Sequence, residues 1–98
     1  KKAFRKQKPE KRIVIMGTDI SVQNRSKQGI MVEVWTKGRG FKVGDWGIPA
    51  GGEGSRKFEA VWYDLCVIAG DKREWIGIYG GNAGGSNLYY DGNTLGFR

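Results

Sequence analysis

Glycine divides this chain into short segments, and that division constrains the fold more than any other feature. All seventeen glycines lie after residue 12, where they indicate turns and close backbone approaches. Between them, apolar residues recur with a period of two, as at Ile30, Val32 and Val34. That is the period of a strand with one buried face, and no segment has a helical period. The sequence therefore predicts an all-β protein.

The strand-like runs follow one another at roughly ten-residue spacing, which is typical of a small antiparallel β-sandwich or barrel of about seven to eight short strands. The clearest is 30–36, where Met31, Glu33 and Trp35 face away from the core side. The run at 56–69 is too long for one ordinary strand, and we expect a bend or bulge near Tyr63 and Asp64. The remaining predicted runs are 13–16, 19–24, 41–43, 46–48, 75–79, 88–90 and 94–97.

Positive charge is concentrated at the start of the chain. Residues 1–12 hold seven of the seventeen Lys and Arg residues and one carboxylate, so they carry +6 of the net +7. Residues 13–98 hold ten cations against nine anions. We therefore divide the chain into a basic N-terminal arm, 1–12, and a single β-domain, 13–98. The cations of the arm are Lys1, Lys2, Arg5, Lys6, Lys8, Lys11 and Arg12.

The residue types present exclude most catalytic chemistry. The chain has no His and one Cys, whereas zinc sites and most nucleophilic catalysis need such groups. Carboxylates are present, but nothing in their spacing marks a pair for glycoside hydrolysis. Cys66 lies in an apolar run, and we expect it to be buried. We predict a non-enzyme without metal or cofactor.

Two groups of residues in the β-domain are candidate contacts. Glycines 38 and 40 expose backbone N–H groups among cations, which could form an anion-binding turn, although a simple hairpin turn is the commoner structure. The cations and the aromatic residue of this segment could also stack unpaired bases; they are Lys37, Arg39, Phe41 and Lys42. Trp35 and Trp46 could form an exposed platform for a ligand, whereas Trp62 and Trp75 are expected in the core.

The charge asymmetry favours a polyanionic partner. Clustered Lys and Arg bind phosphates by releasing counterions without reading sequence, so we predict a domain that binds RNA or single-stranded DNA through its arm, as a viral structural or accessory protein would. The alternative is a surface-binding or assembly module that recognises a glycan, an anionic membrane or a protein through its aromatic, glycine-rich body. A third interpretation treats the arm as a nuclear import signal.

Two further expectations concern assembly and location. The short runs 41–43 and 88–90 could be sheet edges through which the protein forms homo-oligomers, with 88–90 the less protected. No apolar stretch is long enough to span a bilayer, and no secretory signal is visible. We therefore expect a soluble protein of the cytoplasm, nucleus or virion.

Overall fold

A computed structural model describes residues 17–98. The arm and the strand predicted at 13–16 lie outside the described residues. Within them the protein is all-β, with eight strands and no helix. The strands are β1 Asp19–Asn24, β2 Ile30–Thr36, β3 Lys42–Ile48, β4 Glu53–Lys57, β5 Trp62–Ala69, β6 Lys72–Tyr79, β7 Ser86–Tyr90 and β8 Leu95–Phe97.

The strands form two four-stranded sheets, which confirms the predicted all-β class and fits a sandwich. Sheet A has the order β4-β1-β7-β8, and sheet B has the order β3-β2-β5-β6. Every pair is antiparallel except β1 with β7, which run parallel from Ile20 opposite Ser86. The prediction of a wholly antiparallel arrangement is therefore wrong at this one pair.

The core lies between the sheets and draws on alternate residues of both. Sheet B contributes Val32 and Val34 of β2 and Leu65 of β5, while sheet A contributes Ile20 and Leu88, and all five are fully buried. Burying each such side chain stabilises the fold by roughly 1.5–3 kcal/mol. Because strand side chains alternate, the other residues of sheet B face outward.

Several strand boundaries differ from the sequence-based expectation for identifiable reasons. The run 56–69 is interrupted at 58–61, where the chain leaves sheet A and enters sheet B, and no bulge occurs near Tyr63. Instead, the register shifts between Val34 and Trp35, where β2 meets β3. The runs 41–43 and 46–48 belong to one strand, because Gly44 makes room within β3 for the ring of Phe58.

The predicted edge at 88–90 is also wrong. Strand β7 lies inside sheet A, bonded to β1 on one side and to β8 on the other. Among the strands of residues 17–98, the hydrogen-bonding edges are β4 and β8 in sheet A and β3 and β6 in sheet B. The segment 41–43 does lie at the edge, at the start of β3.

The first described residues, Gly17 and Thr18, lie at one end of the two sheets. Gly17 is buried there, and a Cβ built on it would lie 1.7 Å from the carbonyl oxygen of Phe58. Thr18 then donates its backbone N–H to Gly80 O at 2.8 Å and its hydroxyl to Asn82 O at 2.6 Å. We call this end of the body, formed by residues 17–18, 37–41, 58–61 and 80–85, the arm end.

Candidate functional site

The outer face of sheet B presents several aromatic side chains to solvent. The residues of β2, β5 and β6 that alternate with the core residues point away from sheet A, and the turn after β2 folds over them. We call this surface the aromatic face and define it by Trp35, Trp62, Trp75, Tyr79, Arg39, Asp64 and Gly77.

Two aromatic groups stand on this face. The guanidinium carbon of Arg39 lies 3.9 Å from the ring centroid of Trp75, and the edge of Trp35 meets Trp75 at a centroid distance of 6.3 Å. Trp62 and Tyr79, which are register partners, have centroids 5.4 Å apart. Aromatic pairs contribute about 0.5–1.5 kcal/mol beyond their buried area, and an exposed cation–π contact contributes about 0.5–1 kcal/mol. These contacts hold the rings in place before any ligand arrives.

Glu33 fixes the orientation of Trp35. Its carboxylate accepts a 3.0 Å hydrogen bond from Trp35 Nε1 and lies 3.7 Å from Lys42 Nζ and 3.8 Å from Arg73. The Glu33 side chain is only 15% exposed, whereas both cations are much more exposed, so the ion pairs themselves add little stability. Their effect is to keep the indole upright against Trp75.

The turn between β2 and β3 is bonded to a carboxylate of the neighbouring strand. The backbone N–H groups of Gly38 and Arg39 both donate to Asp64 Oδ2, at 2.8 and 3.1 Å. The donors that could have formed an anion-binding turn are therefore occupied by the protein's own carboxylate. Arg39 has φ 59°, a left-handed conformation that costs a residue with a side chain about 1–2 kcal/mol. Such outliers concentrate at functional sites, and this one directs Arg39 over Trp75.

The remaining candidates of the turn lie beside the aromatic face. Lys37 is exposed, and Phe41 is 66% exposed. Lys42 Nζ lies 2.7 Å from Asp45, and the hydrogen bond to this carboxylate raises the pKa of Lys42. Lys42 is thus already paired with anions of the protein, whereas Lys37 forms no ion pair within residues 17–98. The seven candidate cations of residues 1–12 lie outside the described residues.

The structure places three tryptophans differently from the expectation: Trp46, Trp62 and Trp75. Trp75, expected in the core, lies on the outer face of β6 with the guanidinium of Arg39 over its ring. Trp46 is 4% exposed and packs in the core against Phe58, at a centroid distance of 6.0 Å, so it is no exposed platform. It points inward because it alternates with Asp45 and Gly47 on β3. Trp62, expected in the core, is 56% exposed, because Tyr63 and Leu65 take the inward positions of β5. Trp35 lies on the outer face, as its alternation with Val34 predicts.

Cys66 lies on the same side of β5 as Trp62 and Asp64, yet it is fully buried. Its register partners are Glu33 and Trp75. Burial raises the pKa of the thiol, an effect that Arg73 opposes. The thiol is therefore a poor nucleophile at neutral pH.

Sequence reasoning missed Trp75, Tyr79, Asp64 and Gly77 as parts of this surface. A signal for the first two and for Gly77 was present, because period-two alternation through β6 puts 75, 77 and 79 on one face, with Ile76 and Ile78 on the other. The role of Asp64 could not have been found this way. Its bonds to the β2–β3 turn join residues 25 and 26 positions apart.

The described part of the chain contains neither a cluster of metal-ligating side chains nor a membrane-spanning helix. Among residues 17–98, no three His, Cys, Asp or Glu side chains lie together in a way that could hold a metal ion. The same residues contain no helix long and apolar enough to cross a membrane. Comparison of the chain with protein-family models, with curated proteins and with solved structures gives no match.

Proposed function

We propose that this protein binds single-stranded nucleic acid, RNA or DNA, and catalyses no reaction on it. The cations of residues 1–12 contact phosphates, and the aromatic face stacks unpaired bases. The observation that carries the proposal is the pairing of Trp62 with Tyr79 and of Arg39 with Trp75 on one exposed sheet surface. Each base stacked on an aromatic side chain contributes about 1–3 kcal/mol, whatever the base.

The place of Gly17 in the body supports a joint action of the two parts. The chain enters the body at Gly17, and a chain extends at most about 3.3–3.6 Å per residue, so Arg12 lies within about 18 Å of Gly17. Trp62 and Tyr79 are the residues of β5 and β6 nearest to the same end. Phosphates and bases of one short strand can therefore contact both regions. In a duplex the faces of the bases are covered by stacking, so a single strand fits this surface better.

The proposal is tested by fluorescence anisotropy of a labelled single-stranded oligonucleotide over a series of salt concentrations. With all seven arm cations on phosphates, the slope of log K against log salt is expected to be about −5 to −6. Replacing Lys6 and Lys8 by Gln should make the slope shallower by about 1.4–1.8. The matched control replaces Lys27 and Lys57, two exposed lysines of the body, by Gln as well. It should alter the slope far less. Equal effects of the two double variants would contradict the role of the arm.

The aromatic face has its own test in Trp62→Ala. The side chain is largely exposed, so its loss should leave the fold intact while weakening binding by about 1–3 kcal/mol per lost stacked base. This loss should persist at high salt, where phosphate contacts are screened. An affinity unchanged by Trp62→Ala at every salt concentration would remove the aromatic face from the proposal.

An anionic membrane surface is a second candidate, favoured by a different observation. Among residues 17–98, five of the six exposed large apolar side chains lie toward the arm end: Phe41, Val43, Val61, Trp62 and Phe97. Exposed apolar side chains beside a cationic segment suit the boundary of anionic lipid. Sedimentation with anionic and with neutral vesicles separates the candidates. Binding to anionic vesicles that single-stranded oligonucleotide does not compete away would favour the membrane.

A further inference from the structure

A gap in the aromatic face lies over Gly77. A Cβ built on Gly77 meets no atom within 4 Å, so the space where a side chain would stand is open. Trp75 and Tyr79 stand two residues to either side on the same strand, about 13 Å apart at about 3.3 Å per residue. A flat ring that stacks on one of these side chains at about 3.5–4 Å fits within this spacing. We call this gap the Gly77 slot.

The two sides of the slot are held by contacts within the protein. Arg39 and Trp35 support Trp75, and Trp62 supports Tyr79. Little side-chain freedom remains to be lost when a ring enters, which favours binding. The sides are aromatic or guanidinium surfaces, so the complementary ligand is a planar aromatic ring.

A carboxylate lies beside the floor of the slot. Asp64 is the register partner of Gly77 on the neighbouring strand. Its Oδ2 is held by Gly38 and Arg39, while its Oδ1 accepts no hydrogen bond from the described residues. Among residues 17–98, only Trp46 Nε1 is a side-chain N or O atom that is both buried and without a partner. Asp64 Oδ1 has no partner there and is not such a buried atom, so it reaches solvent. The slot thus combines stacking surfaces with an oriented acceptor.

Building on the proposed function, we infer that the Gly77 slot binds one unpaired guanine base. A carboxylate accepts hydrogen bonds and donates none, so it selects a base edge that carries donors. Guanine presents two adjacent donors, N1–H and the N2 amino group, on its Watson–Crick edge. Uracil presents a single donor between two carbonyls there, and the carbonyls would face the negative charge. Single-stranded RNA is commonly read on this edge.

The test compares short oligouridylates of equal length that carry one guanosine, adenosine or cytidine, or none, using the full chain. The phosphate contacts are the same in all four oligonucleotides, so differences in affinity report the identity of the one varied base. The guanosine oligonucleotide is expected to bind about fivefold or more tighter. Asp64→Asn, which keeps one oxygen for the backbone donors of the turn, should reduce this preference to less than about twofold.

A second variant fills the slot. Gly77→Val should weaken binding of the guanosine oligonucleotide at least about fivefold. Its matched control is Gly47→Val on β3, another outward-facing glycine with room for a Cβ, which should bind like the parent. Circular dichroism and melting temperature establish that each variant is folded.

The outcomes separate the inference from the proposed function. The inference that the Gly77 slot binds guanine would be overturned by equal affinity for the four oligonucleotides. It would also be overturned by a guanine preference that survives both Asp64→Asn and Gly77→Val. Either result would leave the proposed nucleic-acid binding in place. Failure of the parent to bind any of the four would overturn the proposed function itself.

Discussion

At the scale of single residues, the burial of Trp46 depends on a glycine of the facing sheet. A Cβ built on Gly54 would lie 2.9 Å from Cδ1 and 3.0 Å from Nε1 of the indole. The buried Nε1 has no partner within residues 17–98, which costs about 1–3 kcal/mol. Contact of the ring with Phe58 and with the guanidinium of Arg56 offsets part of this cost.

The first prediction compares two Gly→Ala substitutions in strands. Gly54→Ala should lower the free energy of unfolding by about 1–3 kcal/mol, because the new methyl group overpacks the site of Trp46. Gly77→Ala should leave the free energy of unfolding unchanged or raise it by up to about 1 kcal/mol, because its site is open and alanine restricts the unfolded chain. Urea unfolding measures both. Equal stabilities of the two variants would contradict this account of the core.

The second prediction concerns acid stability. Glu53 accepts hydrogen bonds from Arg98, at 2.9 Å, and from Ser21, at 2.8 Å. These bonds lower the pKa of Glu53 from its ordinary 4.5. The unfolded state therefore binds the proton of Glu53 more readily than the folded state does. The stabilisation by ionised Glu53 is complete at pH values above its ordinary pKa and is lost as the pH falls through the lowered pKa of the folded state.

Melting temperatures measured from neutral pH to below pH 4.5 test this prediction. The parent should lose stability more steeply on acidification than Glu53→Gln, whose amide does not titrate. Arg98→Gln should move the carboxyl titration of Glu53, followed by NMR, back toward its ordinary pKa. Parallel curves for the parent and Glu53→Gln would show that this carboxylate does not contribute to the pH dependence.

At the scale of the elements, local pattern predicted β1 and β2 with their observed bounds, because each alternates cleanly and ends at polar turn residues. Sequence position could not reveal where the chain changes sheets, at 58–61, or that β7 lies inside sheet A. Those features depend on pairings between distant residues, such as Ile20 with Ser86. The sequence predicts 41–43 and 46–48 as separate runs, whereas tertiary packing of Gly44 against Phe58 keeps β3 continuous.

The third prediction follows from the exposed edge of β3. Lys42 stands between two exposed apolar residues, Phe41 and Val43, and a charged side chain at a sheet edge opposes pairing with another copy. Lys42→Val should therefore increase concentration-dependent association, measured by light scattering. Lys57→Val, at the edge of sheet A, is the control for loss of charge; its neighbours are exposed Arg56 and partly buried Phe58, which packs against the core. An unchanged monomer fraction for Lys42→Val would show that the charge has no protective role.

At the scale of the whole molecule, charge is distributed unevenly between a cationic segment, residues 1–12, and a nearly neutral body. Sequence alone predicted the cationic segment and the turn cations that lie beside the aromatic face. It missed Trp62, Trp75 and Tyr79 as a surface, because an aromatic residue in an apolar run was assigned to the core. Trp62 lies outward since Tyr63 occupies the inward position.

The fourth prediction separates the two parts by kinetics. Long-range attraction by the arm should govern the association rate, and stacking should govern the dissociation rate. In stopped-flow experiments with a single-stranded oligonucleotide, replacing Lys6 and Lys8 by Gln should slow association chiefly at low salt. Trp62→Ala should accelerate dissociation by about fivefold or more. A Trp62→Ala effect confined to association would contradict this division.

The parallel pairing of β1 with β7 has a consequence for biosynthesis. Ile20 and Ser86 are 66 residues apart along the chain, and contacts between such distant segments form late, because the intervening loop must close first. A ribosome therefore releases the cationic leader well before the adjoining strand has a neighbour to bond on that side. For the nucleic-acid binding proposed above, the first contact of residues 1–12 with a phosphate backbone can therefore precede completion of the fold.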